Sequence, residues 1–152
     1  MMANQREAIY EALFTLLQTT APSLIEIPTF SRRFQHWEKV PINQMPALFM
    51  QQYEEEATQL PDAMALTKWV STVNVWMYFN ATNPTALPDQ TYNNLLDGLE
   101  LALKPPPGQS GRQTLGGLVT HVWISGKIPY SDGALDRKAV ILVQLKVMWN
   151  GY

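Results

Sequence analysis

The chain has 152 residues, of which 46% are hydrophobic and 16% charged; that is enough for one domain with a real core, too little to expect two, and far from the composition of a disordered segment. A net charge of −2 excludes the broad basic field that drives non-specific nucleic-acid binding, and the absence of cysteine removes disulfides, thiolate metal sites and cysteine nucleophiles. No stretch approaches the roughly 18 consecutive apolar residues of a membrane span, and Met1 to Glu7 leads into an amphipathic pattern instead of the apolar centre of a signal peptide.

The product is therefore expected to be soluble and to stay where it is made. Asn80-Ala81-Thr82 matches a glycosylation sequon, which in that setting reads as accidental. Five Trp and seven Met leave two readings open: they fill the core, or they are apolar surface kept for partners.

In chain order, residues 4–19 carry Ile9, Ala12, Leu13, Leu16 and Leu17 at helical spacing, with Gln5, Glu7, Glu11 and Gln18 on the other side. This predicts an amphipathic helix packed by one face and ended at Thr19 to Ser23. Thr29 to Trp37 reads as an irregular or edge strand, because aromatic and charged residues alternate there without a clean apolar face. Ala47 to Ala57 is expected to be a strand that turns polar toward its end. Lys68 to Asn80 is a longer one, with Ser71, Val73, Val75, Met77 and Phe79 on one face and Val70, Thr72, Asn74, Trp76 and Tyr78 on the other.

A strand of about twelve residues is about 40 Å long at roughly 3.3 Å per residue, longer than one small core needs. The overhang is covered either by a neighbouring subunit or by strong twist and fraying of the sheet. After a linker at residues 84–88, Asp89 is a candidate cap for a second amphipathic helix carrying Tyr92, Leu95, Leu96, Leu99, Ala102 and Leu103. Pro105 to Thr114 holds no residue suited to a core and is expected to be an exposed, mobile loop.

The C-terminal stretch from Gly117 to Trp149 then reads as two strands joined by a long loop. Leu118, Val122 and Ile124 share one face of the first strand, and Val119, His121 and Trp123 the other. In the second, Ala139, Ile141, Val143, Leu145, Val147 and Trp149 share a face. The loop, residues 125–137, contains the turn pair Asp132-Gly133 and is also expected to be mobile.

The chain lacks the constellations of catalysis. His36 and His121 stand in no zinc-binding spacing, and each reads as a structural histidine. Ser110 lies in Gly108-Gln109-Ser110-Gly111, which lacks the spacing of a nucleophile elbow and follows no strand. Gly126-Lys127 fails as the end of a phosphate-binding loop, with His121 where the first glycine is required and Ile128 where Ser or Thr is required. Asp132 and Asp136 lack further oxygen ligands in register for calcium. Glu54-Glu55-Glu56 is either a solvated strand end or a docking patch for Arg or Lys of a neighbour, and Arg32-Arg33 is its mirror image. No cofactor, no metal and no enzymatic activity are expected.

The element order α, β, β, β, α, β, β gives an α+β domain over residues 1–152, with a mainly antiparallel sheet of four to five strands and two helices packed on it. Arg6 to Leu13 in the first helix, Lys68-Trp69, the Leu95 to Leu103 helix, Val119 to Ile128, Asp132-Gly133-Ala134-Leu135-Asp136 and the closing apolar strand together resemble the tail terminator, or tail-completion, proteins of tailed bacteriophages. The likeness spans most of the chain and rests on element order and a diffuse C-terminal pattern.

The resemblance implies a virion protein assembled in the host cytoplasm. It would form a ring, commonly a hexamer, at the head-proximal end of the tail tube, end tube polymerisation and present a surface for the neck. Its partners would be further copies of itself, the tail tube protein and a neck or connector protein, with no membrane and no sequence-specific nucleic acid, and with DNA passing through the ring. Candidate subunit, tube or neck contacts are Arg32, Arg33, Trp37, Glu54, Glu55, Glu56, Arg112, Lys127, Tyr130, Asp132, Asp136 and Arg137, and the 125–137 loop is the first choice. Two other readings stay open: a neck, collar or adaptor ring, and a small-molecule-binding domain or enzyme using the sheet face and the His121-Trp123 side of the hairpin.

Overall fold

The computed structural model describes residues 4–58, 67–81, 88–108, 111–129 and 137–152. Among the described residues two α-helices and five strands form the expected α+β arrangement: helix α1 (Gln5–Thr20), strands β1 (Thr29–Ser31), β2 (Ala47–Thr58) and β3 (Lys68–Asn80), helix α2 (Pro88–Ala102), and strands β4 (His121–Ser125) and β5 (Lys138–Asn150). The sheet order is β1-β2-β3-β5-β4, antiparallel throughout except for the β1–β2 pair.

The centre of the sheet is the β3–β5 pair, thirteen residues on each strand, in unbroken register from Lys68 opposite Asn150 to Asn80 opposite Lys138. Strict alternation of β-branched and aromatic residues makes a slip by one residue prohibitive, because it would carry a whole buried row to the other face. Val73, Val75, Met77 and Phe79 of β3 and the alternate residues Ala139, Ile141, Val143, Leu145, Val147 and Trp149 of β5 form the helix-facing surface. Against it α1 packs Ile9, Tyr10, Leu13 and Leu17, and α2 packs Tyr92, Leu95, Leu99 and Ala102. Each buried Val, Leu, Ile, Met or Phe among them contributes about 1.5–3 kcal/mol by leaving water.

Helix α1 starts where the Asn4 side chain accepts the Glu7 N–H at 3.2 Å, a normal N-cap. Helix α2 starts at Pro88, so Asp89 is not its cap but a first-turn acid, favourable at the positive end of the helix. Gly98 lets α2 approach the Ala21 backbone: a Cβ there would lie 2.1 Å from the Ala21 carbonyl oxygen.

Three local expectations change. The strand expected over Thr29 to Trp37 is only Thr29–Ser31. Ser31 Oγ accepts the Arg33 N–H at 2.9 Å and turns the chain, and Trp37–Lys39 forms a short 3-10 turn. The residues after the turn fold under the sheet. Val40 and Met45, with Phe34 and Trp37 beside them, cover Ala47, Phe49, Tyr78 and Val140 on the face away from the helices.

The strand expected from Leu118 begins at His121; Leu118 is exposed and Val119 buried, because residues 115–120 form turns and bends rather than an alternating strand. Pro105 to Thr114 is not wholly exposed either. Gln113 is only 5% accessible; its amide donates to Lys104 O at 3.1 Å and its side-chain oxygen accepts the Leu115 N–H at 3.2 Å. A polar residue is comfortable in a core when each of its groups is satisfied in this way.

Candidate interaction site

Strand β2 shows how local geometry distributes the acidic run. Up to Gln52 its residues pair one to one with β3, and then Tyr53 is bulged out so that Glu54 stands opposite Thr72. A bulge shifts the alternation by one residue. Glu55 therefore joins the helix-facing side, opposite Ser71, while Glu54 and Glu56 fall on the other face, opposite Thr72 and Val70.

Glu55 is engaged within the subunit. It takes the Arg6 Nε at 2.9 Å and the Tyr10 hydroxyl at 2.7 Å. With the Tyr10 proton committed to Glu55, Ser71 Oγ, 2.7 Å away, donates to the same hydroxyl. Arg6 also lies over the Trp69 ring, 4.5 Å from its centroid, a cation–π contact. Burial first, and the bond to Glu55 second, push the Tyr10 phenol up to about 12. This cluster fixes the start of α1 to the sheet, and it is a structural use of a residue expected at an interface.

Arg32 is likewise held at home, by a short ion pair to Glu7 and a 3.3 Å bond to Gln52 Oε1. The hydrogen bond from Arg32, with its charge, keeps the exposed Glu7 carboxyl below its usual range. Trp37 is half-buried, and Lys138 Nζ donates to Trp37 O at 3.1 Å and Val40 O at 2.9 Å, tying the residue 37–40 segment to β5. Arg33, Glu54, Glu56, Arg112, Lys127 and Arg137 are exposed. Tyr130, Asp132 and Asp136 lie outside the described residues, as does most of the 125–137 loop.

On the face away from the helices, residues 34–45 cover one end only. Across the rest run cross-strand rows: Gln51, Asn74, Gln144 and Ser125, then Glu54, Thr72, Lys146 and Trp123. Asn74 donates to Gln51 at 3.3 Å and accepts from Gln144 at 3.4 Å, and Lys146 donates to Thr72 Oγ1. Within these two rows Gln51, Asn74, Gln144, Thr72 and Lys146 are thus bonded to one another across the strands.

The opposite sheet edge is different. A cleft of about 930 Å³ lies between α2 and β4, lined by Leu24, Leu96, Leu101, Ile124 and Ile128 on its apolar walls. Successive β4 residues from His121 to Ile124 all line it, so it wraps around the edge strand rather than lying on one face of the sheet. His121 accepts the Gln113 N–H through Nδ1 at 3.1 Å and stacks on Trp123, with 5.3 Å between ring centroids. Both contacts tie the imidazole to its own subunit.

Lys104 and Gly111 line the cleft too, and Arg112 and Lys127 flank it in sequence. The sequence pointed to the His121-Trp123 side of the hairpin but not to a cleft there, since its walls come from α2, β4 and the 3-10 turn after α1. Among the described residues no group of three or more His, Asp or Glu is placed to hold a metal ion, and no helix is long and apolar enough to cross a membrane.

No protein-family model and no curated protein matches this chain. Among solved structures it is similar to a chain in the virion of a native gene transfer agent particle, at a TM-score of 0.58 and 11% sequence identity. The match covers 99% of this chain and 100% of the other, so the two share one fold from end to end.

Proposed function

We propose that this chain is a structural virion protein of a tailed, phage-like particle, and specifically the tail terminator: a ring at the head-proximal end of the tail tube that ends polymerisation and joins the tube to the neck. The observation that carries the reading is the end-to-end likeness of fold to a virion chain of a gene transfer agent. The element order and C-terminal pattern that resemble tail terminators point the same way.

Physical features of the chain agree. The acidic end of β2 and the apolar, cation-flanked cleft beside β4 sit at opposite edges of one sheet, two unlike patches of the kind that a head-to-tail ring uses. A terminator needs two unlike axial faces, one fitted to the last tube ring and one that recruits no further tube subunit. The asymmetric sheet, covered by helices on one side and by the residue 34–45 segment on part of the other, gives a ring such faces.

The ring would be a homohexamer contacting the tail tube protein and a neck or connector protein, with DNA passing through its centre. The same fold likeness is equally compatible with a neck, collar or adaptor ring. Labelling the protein in intact particles separates the two: density at the end of the tube supports the terminator, and density confined to the neck supports the alternative. Particles lacking the label altogether would overturn both.

A further inference from the structure

The two ends of the sheet carry complementary chemistry. At one end, β1 pairs only with Ala47 to Phe49, so the outer edge of β2 beyond Met50 has no strand beside it among the described residues. That free end presents Tyr53, 59% exposed at the bulge, followed by the exposed carboxylates Glu54 and Glu56. At the other end, the cleft beside β4 combines apolar walls, where Leu24 and Leu101 are exposed, with the exposed cations Lys104, Arg112 and Lys127. Lys104 O accepts from the Gln113 side chain, which brings the Arg112 segment to the cleft mouth.

Among the described residues the ion pairs are Arg6–Glu55 and Arg32–Glu7, so neither Glu54 and Glu56 nor these three cations are neutralised within the subunit by a described partner.

We infer that the Tyr53–Glu56 end of β2 in one copy docks into the α2–β4 cleft of the next copy, with Tyr53 against the apolar walls and Glu54 and Glu56 against Lys104, Arg112 and Lys127. This rests on the ring reading and names the two surfaces that close the ring. The occupant is a second copy because the chain itself carries both halves at opposite sheet edges, three strand spacings or about 14 Å apart. Such a contact is heterologous: each copy uses one patch as donor and the other as acceptor, and repetition with the right rotation closes a ring. An exposed aromatic beside charges is the composition expected of an interface anchor and its rim. Asp97 and Glu100 line the α2 side of the cleft, so the acidic end enters along the β4 side, where Lys127 follows the strand.

Charge reversal in trans tests this with full-length protein. Variant one carries Glu54→Lys and Glu56→Lys; variant two carries Lys104→Glu, Arg112→Glu and Lys127→Glu. Sedimentation velocity reads assembly in solution, electron microscopy reads it on tail tubes, and circular dichroism confirms that each variant is folded. Each variant alone should self-associate at least about tenfold more weakly than the natural chain, because like charges now meet. Mixed one to one, they should assemble as alternating copies, since every contact is again complementary.

Variants that assemble alone like the natural chain, or a folded mixture that stays dissociated, would overturn the docking assignment while leaving the ring reading intact. A natural chain that forms no ring either in solution or on tail tubes would overturn the ring reading itself.

Discussion

Replacing Gly98 by alanine sets two effects of known size against each other. Alanine in a helix interior is favoured over glycine by about 1 kcal/mol. Its Cβ would, however, lie 2.1 Å from the Ala21 carbonyl oxygen and 3.3 Å from the carbonyl carbon. A carbon–oxygen contact relaxes only near roughly 3.3 Å, so α2 must retreat by about 1 Å, and the obstacle is backbone rather than the end of a flexible side chain. Overpacking of this kind costs about 1–3 kcal/mol. Contact with backbone belongs at the upper end of that range, so the net effect should be destabilising by about 1–2 kcal/mol.

For a domain of this size that corresponds to a fall in Tm of about 2–8 °C. Scanning calorimetry with parallel urea titration would measure it, and Asn93→Ala, at an exposed position of the same helix, isolates the propensity term and should raise stability by a few tenths of a kcal/mol. A Gly98→Ala protein as stable as the natural one, or more so, would show that α2 does not pack on Ala21 in this way. The α2 wall of the docking cleft would then be placed differently as well.

Three further outcomes follow from the contacts above. Tyr10→Phe removes the bond to Glu55 and leaves Ser71 Oγ buried without its acceptor, which should cost about 1–3 kcal/mol in urea unfolding. Alkaline titration should reveal the same group. Tyr10 ionises near its ordinary value of about 10 when unfolded and near 12 when folded, so its stabilising effect is complete below pH 10 and is lost as pH rises through 12. Burial raises Tyr78 in the same direction, and the fall in stability across that window should be shallower in Tyr10→Phe. Lys138→Met deletes the two bonds that hold the Trp37 and Val40 carbonyls, which should free the residue 34–45 segment to proteolysis while the β3–β5 core stays protected from hydrogen exchange.

The long strands were legible because period-2 patterning over about a dozen residues admits one face assignment. The limits of β3 and all six buried positions of β5 appear in the chain without any structure. Both helices were legible for the same reason at period 3.6. What escaped was set by single contacts. Phe34, Trp37 and Val40 have no periodicity because they cover the sheet from a loop, held by Lys138 from 98 and more residues away. Gln113 looks like a surface residue until its carboxamide is seen bonding Lys104 and Leu115.

The bulge at Tyr53 decides which of three consecutive glutamates is used internally, and nothing in Gln52-Tyr53-Glu54 announces it. Charge in the sequence cannot separate Glu55 and Arg32, held by Arg6 and Glu7, from Glu54, Glu56 and Lys127, left facing solvent. Of the cleft only the His121-Trp123 side was legible, since the whole exists only where α2, β4 and the turn after α1 converge.

The central claim is that this protein ends tail growth, and the length distribution of tails measured by negative-stain electron microscopy tests it most directly. Particles assembled without the protein should show tubes of irregular, excessive length and heads without tails, with normal length restored when the protein is supplied. Tails of normal, regulated length joined to heads in its absence would contradict the account.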